Sequence, residues 1–367
     1  MKFSMDRNTL SDALVNASKA SSSRSPIPAL EGVLINLKEG VITVTGYDLE
    51  MGIKCKVSPT TAEEEGEIVV NAKIFGEMIR KMPAGAVDIS TDKSGNITLR
   101  SGSVVFNVVG VSGDQYPNIP ELRNDITFYI DEHILKSMIR QTFHAIATTD
   151  IKPVHMGSKF HIEDNVLSVV SVDGVRMAKR VEPVEYNDID FVVPSKTLGE
   201  LMRMLSDESN DKKVAICIDR NQICFSKDDY MIISRLLEGN FIDYDRIMNF
   251  EEKSTAIVKA SEFAQSLDRT LLLNTERYKC PVICTFDNDN LDIEIKTSLG
   301  KMSDNFAIKY GGEKLEIAFN AKYMIDALRN SECDEVKLQF TGPLSPIRIK
   351  PLDGESFVGI VLPVRNK

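Results

Sequence analysis

The chain has 367 residues, of which 43% are hydrophobic and 27% are charged. These proportions are ordinary for a folded globular protein and argue against disorder, collagen and small disulfide scaffolds. As a bulk number, the net charge of −10 argues against a nucleic-acid partner, because phosphate binding usually leaves a basic footprint.

Strand and helix patterns start at the N-terminus and return twice. The stretch FSMDRNTLSDALVNA from Phe3 predicts a short strand and then a helix, and it aligns with FYIDEHILKSMIRQT from Phe128 and AIVKASEFAQSLDRT from Ala256. Short alternating strands follow, separated by turn residues such as Lys38-Glu39-Gly40. This self-similarity indicates an internal repeat.

A second segment also occurs three times. IVVNAKIFGEMIRKM from Ile68, FVVPSKTLGELMRML from Phe191 and IAFNAKYMIDALRNS from Ile317 align without gaps, at offsets of 123 and 126 residues. Each predicts an apolar strand followed by an amphipathic helix. Asn71, Pro194 and Asn320 stand at the predicted helix starts, where Asn is a good N-cap and Pro is tolerated.

The two repeated segments together predict three domains, at 1–122, 123–247 and 248–367. Each domain is expected to have two helices packed on one face of a sheet of about eight strands, so the fold class is α+β. Linkers are predicted near Pro120–Asp125 and Tyr244–Lys253, where the composition is polar.

A charge pattern survives in all three copies of the second helix, as Lys73-Glu77-Arg80, Lys196-Glu200-Arg203 and Lys322-Asp326-Arg329. This i, i+4, i+7 spacing brings the basic residues onto one stripe of a helix. The windows 73–82, 196–205 and 322–331 hold seven basic and three acidic residues, a net +4, so the rest of the chain carries −14. The stripe is either a solvated face with i,i+4 ion pairs or a basic surface for an anionic partner.

Motifs for catalysis, cofactors and metals are missing. The chain has no Walker loop, GxGxxG, HExxH, GxSxG or CxxC pattern. Cys280 and Cys284 are expected to be free thiols in a reducing compartment, and Asp287-Asn288-Asp289-Asn290 is expected to be a hairpin turn. We therefore expect no enzyme activity, no cofactor and no metal. The N-terminus has no signal core, and no stretch approaches the roughly 18 apolar residues of a membrane span, so no membrane partner and a cytoplasmic location are expected.

Several ordered motifs run the length of the chain: Arg24 followed by PIPALEGVLI, GYDLE at 46–50, Gln115-Tyr116-Pro117, SVDGVRMA at 171–178, GNFIDY at 239–244 and Leu362-Pro363-Val364-Arg365. With them, the sequence resembles the bacterial DNA polymerase III beta subunits, the sliding clamps, from Met1 to Lys367. The resemblance implies a head-to-tail homodimer that closes into a ring of six domains, with helices lining the hole.

The resemblance also implies a function without catalysis. Such a ring encircles duplex DNA independently of sequence and tethers the catalytic subunit of DNA polymerase III, and an ATP-driven clamp loader opens it. Other proteins with a clamp-binding motif are further expected partners. The alternative is a scaffold of clamp-like domains that binds peptides but not DNA.

The DNA-binding residues follow from the resemblance and the charge pattern together. The family contacts the duplex at the positions of Arg24 and Lys73, and Lys152 is the basic residue in the family's contact segment around 149–154. The basic residues of the repeated helices are predicted to line the same surface, namely Arg80, Lys196, Arg203, Lys322 and Arg329.

The resemblance also implies two protein-binding sites. Partner peptides are expected to insert a Leu or Phe side chain into an apolar pocket between the second and third domains, while Arg176 and Asn320 bind peptide carbonyls. The predicted pocket consists of Gly174, Val175, Arg176, Met177, Ile242, Ile247, Tyr278, Asn320, Tyr323, Leu344, Pro346, Ile360, Val361, Leu362, Pro363, Val364 and Arg365. The chain departs from the family pattern at His155, Val172, Val175 and Ile242. Phe106 and Val108 are predicted to meet Leu272 and Leu273 of the other subunit, the alternative being ordinary core packing.

Overall fold

The computed structural model of the protein describes residues 1–120, 122, 127–149, 152–208, 211–248, 251–274 and 280–365. The chain divides into two compact units, Met1–Asp131 with Asn210–Leu236, and Glu132–Ser209 with Leu237–Lys367. The helices in the described part are α1 (Arg7–Ser18), α2 (Ala72–Lys81), α3 (Glu132–Phe143), α4 (Ser195–Met204), α5 (Asp245–Met248), α6 (Ala260–Leu271) and α7 (Ala321–Asn330).

The strands run from one end of the chain to the other, separated mostly by short turns. In chain order they are β1 (Lys2–Asp6), β2 (Gly32–Lys38), β3 (Val41–Tyr47), β4 (Met51–Val57), β5 (Thr61–Glu64), β6 (Gly66–Asn71), β7 (Ala86–Thr91), β8 (Asn96–Ser101), β9 (Val104–Val109), β10 (Val111–Ser112), β11 (Thr127–Asp131), β12 (Gly157–Glu163), β13 (Val166–Val172), β14 (Arg176–Pro183), β15 (Ile189–Pro194), β16 (Lys213–Asp219), β17 (Gln222–Lys227), β18 (Tyr230–Arg235), β19 (Ser254–Lys259), β20 (Val282–Asp287), β21 (Asn290–Thr297), β22 (Gly300–Ala307), β23 (Lys309–Gly311), β24 (Leu315–Phe319), β25 (Glu335–Phe340), β26 (Ile347–Pro351) and β27 (Phe357–Val361).

The first unit contains two antiparallel sheets. One has the order β5-β1-β7-β8-β9, and the other has the order β10-β6-β2-β3-β4-β18-β17-β16-β11. Helix α1 buries Leu10, Ala13, Leu14 and Ala17, and it packs against strands β3 and β4 and against helix α2. In the second sheet β4 pairs with β18, so strands from the first two predicted domains form one continuous sheet.

The second unit repeats this arrangement. Its sheets have the orders β15-β12-β13-β14-β27-β26-β25-β19-β23 and β22-β21-β20-β24. Helices α6 and α7 pack on each other, as do α3 and α4. Strand β14 pairs with β27, which joins strands of the second and third predicted domains in one sheet.

The predicted repeat is present in the structure. The first repeated segment forms β1-α1, β11-α3 and β19-α6, and the second forms β6-α2, β15-α4 and β24-α7. Asn71 and Asn320 cap helices α2 and α7 with their side chains, and Pro194 is the N-cap residue of α4. Within the described residues, the three predicted domains hold ten, eight and nine strands, and the exact domain boundaries stay a prediction.

One predicted linker contains a helix. The short helix α5 lies within Tyr244–Lys253, and the Tyr244 carbonyl accepts hydrogen bonds from the amides of Ile247 and Met248, at 3.0 and 3.1 Å. Tyr244 itself is buried, so burial of an aromatic anchor holds a segment whose polar composition predicts a loop. Most of the other predicted linker, Pro120–Asp125, lies outside the described residues.

The hairpin predicted at 287–290 is confirmed. Asn288 and Asp289 have φ values of 47° and 60° between the paired residues Asp287 and Asn290, which is the geometry of a two-residue type I′ turn. The Asp289 carboxylate accepts a hydrogen bond from the Tyr310 amide at 2.7 Å. Within the described residues no group of three or more His, Cys, Asp or Glu side chains is placed to hold a metal ion.

The six cysteines are free thiols, four of them buried. Burial raises the pKa of Cys55 and of Cys224 to about 12, so both are protonated at neutral pH and poorly nucleophilic. Among the described residues, no helix is long and apolar enough to span a membrane.

Gly46 is required by the close approach of helix α1 to strand β3. A Cβ atom at this position would lie 1.9 Å from the Ala17 carbonyl oxygen, so Gly46→Ala is expected to push the helix off the sheet. We expect the midpoint of thermal unfolding to fall by several degrees. Gly76→Ala is the matched control, because it lies in helix α2 with nothing within 4 Å and should leave stability unchanged or raise it. Equal midpoints for the two variants would contradict the packing argument.

Three basic helices, an apolar pocket and two open sheet edges

The predicted basic residues of α2, α4 and α7 are all exposed. On α2, Lys73 and Arg80 face solvent, while Phe75 and Ile79 are buried against the sheet. The equivalent residues on the other two helices are also exposed, namely Lys196 and Arg203 on α4 and Lys322 and Arg329 on α7. Each helix therefore presents one lysine and one arginine on its outer side.

The acid of the repeated pattern has different partners in the three copies. Glu77 pairs with Arg80 at 2.7 Å, and the Arg80 hydrogen bond lowers the pKa of Glu77. Glu200 pairs in the same way with Arg203. Asp326, however, pairs with Arg176 at 2.6 Å. In two copies the acid thus pairs with the arginine three residues later, and in the third copy it does not.

Helix α2 also forms one wall of a groove in the first unit. The groove has a volume of about 1040 Å³, and its lining includes Lys73, Lys81, Ser23 and Phe106. Arg24 follows Ser23 in an exposed bend. In the second unit, Lys152 is exposed and precedes a short 3₁₀ helix at Pro153–Met156. A predicted DNA contact, Lys73, and a predicted dimer contact, Phe106, therefore share one groove.

Part of the predicted partner pocket is an apolar cluster on the second unit. Val172, Met177 and Ile360 are buried at its base, and Met177 lies directly opposite Ile360 on the paired strands β14 and β27. Partly buried side chains pack against this base, including Ile242, Ile247 and Leu362. These six residues form a hydrophobic cluster, which we call the apolar pocket because the resemblance predicts the pocket at this place.

Strand alternation separates Val361 from this pocket. Ile360 and Leu362 belong to the pocket, whereas Val361 is fully buried in the core formed by α6, α7 and their strands. Sequence reasoning missed several members of the apolar cluster: Val170, Tyr244, Val358, Phe241 and Met248. The period-two pattern of β13 and β27 contains the signal for Val170 and Val358, which lie two residues from Val172 and Ile360.

Arg176 lies beside the pocket and is held from three sides. Its guanidinium pairs with Asp173 at 2.8 Å and with Asp326 at 2.6 Å, and it stacks 4.5 Å above the Tyr323 ring. Burial lowers the pKa of His144 to about 4, and the Arg176 charge adds to that shift. The predicted role of Arg176 in binding peptide carbonyls would therefore compete with two carboxylates.

The other predicted pocket residues form a rim or lie elsewhere. Asn320 uses its side-chain oxygen to cap α7 through the Lys322 amide, at 3.0 Å. Val175, Leu344 and Val364 are exposed by 41%, 65% and 42%. Leu344 and Pro346 lie between β25 and β26, Gly174 has a φ of 91°, and Pro363 bridges to β24 while Arg365 is exposed. Tyr278 lies outside the described residues.

The C-terminal segment is fixed by backbone hydrogen bonds. The Leu362 amide donates to the Val175 carbonyl at 2.9 Å, and the Val364 amide donates to the Ala318 carbonyl at 2.7 Å. The segment therefore joins the β13–β14 turn to the edge strand β24, which places Leu362 at the pocket.

The predicted dimer contacts lie at two sheet edges. In the described part of the chain, β9 and β22 each have a paired strand on one side only. Phe106 and Val108 on β9 are partly buried, while Val109 is 79% exposed. After helix α6, Leu272 is 81% exposed, and the Leu273 side chain lies 3.9 Å from where a Cβ atom of Gly300 would be, at the start of β22.

Comparison with known proteins gives one consistent family. Models for the N-terminal, central and C-terminal domains of the DNA polymerase III beta subunit match residues 1–120, 129–243 and 245–365. The chain is 34% identical to the beta sliding clamp of Halalkalibacterium halodurans and 32% identical to that of Bacillus subtilis, over all of each chain. The DNA polymerase sliding clamp structure from Bacillus subtilis has a TM-score of 0.95 at 30% identity, with both chains fully covered. The Streptococcus pyogenes DNA polymerase beta subunit gives 0.94 at 25% identity, also with full coverage.

Proposed function

Because the chain belongs to the family of DNA polymerase III beta subunits and is a replication processivity clamp, we propose that it forms a head-to-tail homodimeric ring around duplex DNA. In this role the chain catalyses no reaction. The observation that carries the proposal is the pattern of strand pairing at the ends of the repeated domains. Strand β4 pairs with β18, and β14 pairs with β27, whereas β9 and β22 are open edges in the described residues.

Strand β22 is equivalent by its place in the repeat to β4 and β14, and strand β9 is equivalent to β18 and β27. Strands β4, β14 and β22 are each the fourth strand of a repeat. The turn before each of them is capped by the side chain of Asp48, Asp173 or Thr297. Strands β18, β27 and β9 each end the last meander of a repeat. Two of the three equivalent junctions form within one chain, so we infer that the third forms between two chains.

This equivalence predicts the register of the junction between subunits. Tyr230 and Val104 both follow a tight turn that closes on the preceding strand, so Phe106 corresponds to Ile232. Ile53 lies five residues after the capping residue Asp48, and Met302 lies five residues after the capping residue Thr297. Met302 therefore corresponds to Ile53, which pairs with Ile232. The predicted pairs between subunits are Val104 with Asp304, Val105 with Ser303, Phe106 with Met302, Asn107 with Lys301, and Val108 with Gly300.

Burial supports this register independently. Phe106 and Met302 are both partly buried and face inward, while Asn107 and Lys301 are both exposed. A shift of one residue would set inward-facing side chains opposite outward-facing ones, since side chains alternate along a strand. The junction would cover exposed apolar surface at Val105 and Leu272, which is suited to a lasting interface.

For the DNA, we propose that the exposed basic residues of α2, α4 and α7, together with Arg24 and Lys152, contact phosphates of the duplex. Contacts to phosphates carry no sequence information and weaken with salt, which suits a ring that slides. The negative charge of the rest of the chain disfavours binding of DNA elsewhere on the protein.

Encirclement is tested by the topology of the DNA. Clamp assembled on nicked circular DNA with a clamp loader and ATP is expected to stay bound through gel filtration at high salt. Cutting the circle once should release it, because a ring can leave only over an end. Equal retention on circular and linear DNA would contradict the proposal.

We further propose that the apolar pocket binds a short peptide of DNA polymerase III and of other partners that carry a clamp-binding motif. The base of Val172, Met177 and Ile360 and the walls of Ile242, Ile247 and Leu362 suit a Leu or Phe anchor. The valines at 172 and 175 make the pocket and its rim apolar.

The second candidate function is a peptide-binding scaffold that does not bind DNA. A charge-reversal variant distinguishes this scaffold from a DNA clamp. The variant Lys73→Glu/Lys196→Glu/Lys322→Glu reverses three exposed charges on the basic helices. We expect polymerase processivity to fall at least about tenfold, since each lost phosphate contact weakens binding to DNA. Retained peptide binding would show that the variant is folded. Full processivity in this variant would favour the scaffold.

A further inference from the structure

We propose that three carboxylates, Glu77, Glu200 and Asp268, act as counter-ions that keep the DNA-facing arginines from binding phosphates tightly, so that the ring can slide. This inference rests on the proposed function, because it assumes that α2, α4 and α7 face the duplex.

Each arginine of the repeated stripe has one carboxylate partner. Arg80 pairs with Glu77, Arg203 with Glu200, and Arg329 with Asp268. The three arginine side chains remain 64%, 64% and 55% exposed. They are therefore accessible to a duplex, but each already carries a compensating negative charge.

The third copy provides the strongest support, because it reaches the same pairing with a different residue. Asp326 stands where Glu77 and Glu200 stand in their helices, but it is bound to Arg176. Arg329 pairs instead with Asp268, which comes from the neighbouring helix α6. If the acids only stabilised their own helices, no substitute from another helix would be needed. The feature kept in all three copies is one carboxylate on each exposed arginine.

The exposure of the three arginines distinguishes these pairs from a structural ion pair. Arg176, which holds two carboxylates and stacks on Tyr323, is only 11% exposed. Ion pairs between exposed groups are weak and screened by salt, so a passing phosphate can displace Glu77 and Asp268, which are 49% and 42% exposed. Glu200 is only 13% exposed, so at this pair the phosphate has to draw the exposed Arg203 away from the carboxylate. When the phosphate moves on, the carboxylate returns, which shortens each contact.

Two lysines of the stripe, Lys73 and Lys322, differ from the arginines. In the described part of the chain, neither Lys73 nor Lys322 has a carboxylate within ion-pair distance. A lysine ammonium binds phosphate as a single strongly hydrated charge, whereas an arginine fork binds it through two hydrogen bonds. All three arginines of the stripe, the side chains that bind phosphate more tightly, therefore have a counter-ion.

The test is the variant Glu77→Gln/Glu200→Gln/Asp268→Asn, loaded with the clamp loader on stretched DNA tethered at both ends to measure diffusion, and on nicked circular DNA to measure retention. We expect its diffusion along stretched DNA to slow roughly threefold or more, and its retention to depend more steeply on salt, because three arginines become free to bind phosphate. The control variant Glu63→Gln/Asp228→Asn/Asp287→Asn makes the same change in net charge. Its acids pair with Lys2, Lys212 and Lys314, and none of these residues belongs to α2, α4 or α7.

Two outcomes would overturn the inference: unchanged diffusion in the first variant, or equal slowing in the control, which would be an effect of net charge alone. The variant Arg80→Gln/Arg203→Gln/Arg329→Gln separates this inference from the function proposed above. If it weakens retention at low salt while the carboxylate variant behaves like wild type, the DNA contacts stand and only the counter-ion role is wrong. If it changes nothing, the arginine contacts themselves are wrong, and the counter-ion role is wrong with them.

Discussion

A chain carrying Asn107→Cys and Lys301→Cys is expected to convert almost completely to a covalent dimer on oxidation or with a short bifunctional thiol reagent. Both positions are exposed in the chain, and the predicted register sets them directly opposite each other across the subunit junction. Opposite residues of antiparallel strands have Cα atoms about 4.5–5.5 Å apart, a distance that a disulfide spans. Each ring contains two such junctions, so cross-linking both closes it covalently.

The same variant provides a second measurement with a large effect. If the ring is loaded on nicked circular DNA before cross-linking, we expect protein and circle to stay linked in SDS, because a closed loop around a closed circle cannot leave. Denaturation removes every non-covalent contact, so only topology can account for such a linkage. Cutting the DNA should free the protein.

The register has its own control. Asn107→Cys with Ser303→Cys places the second thiol on the same face of β22 but two residues along, roughly 7 Å further. This pair should cross-link far less, and the parent chain, whose Cys280 and Cys333 are only partly exposed, should give no dimer. Stronger cross-linking with Ser303→Cys than with Lys301→Cys would show that the repeat equivalence gives the wrong register.

Repeats and helix starts could be predicted from the sequence because they depend on local chemistry. Asn71 and Asn320 begin helices for the reason that any N-cap asparagine does, by accepting a backbone hydrogen bond. Strand and helix periods are likewise properties of short segments. Burial against distant strands is not a property of a short segment, and for that reason the polar composition around helix α5 predicts a linker.

Features of the site that depend on a single helix or strand could be predicted from the sequence, and features that depend on packing between elements could not. Exposure of Lys73 and Arg80 follows from the period of α2, but the partner of Arg329 depends on how α6 packs on α7, which no spacing in α7 reveals. The spacing assigns Asp326 to the charge pattern of α7, whereas in the structure it pairs with Arg176 from β14. Val358 belongs to the apolar cluster and Val361 does not. This difference depends on which face of β27 meets the helices, so it follows only from the packing of the sheet.

Ile247→Asp is expected to abolish peptide binding by the apolar pocket while leaving the ring intact. Ile247 is a partly buried wall of the pocket on the short helix α5, and a carboxylate there would have to lose water when an apolar anchor enters. Burial of one Leu or Phe side chain contributes about 1.5–3 kcal/mol, so the Kd for a synthetic clamp-binding peptide should rise at least about tenfold, as measured by calorimetry. Polymerase processivity should fall with it.

Val166→Asp is the matched control, because it puts the same charge on an apolar side chain that is already 40% exposed. Val166 begins β13 and Val172 ends it, so the new charge lies roughly 20 Å along the strand from the base of the pocket. This variant should bind peptide and DNA like the parent, and both variants should stay dimeric. If both lose peptide binding equally, acidity rather than the pocket would be the cause. If neither does, the anchor must bind elsewhere, since an apolar side chain cannot enter beside an unpaired carboxylate without a large loss of affinity.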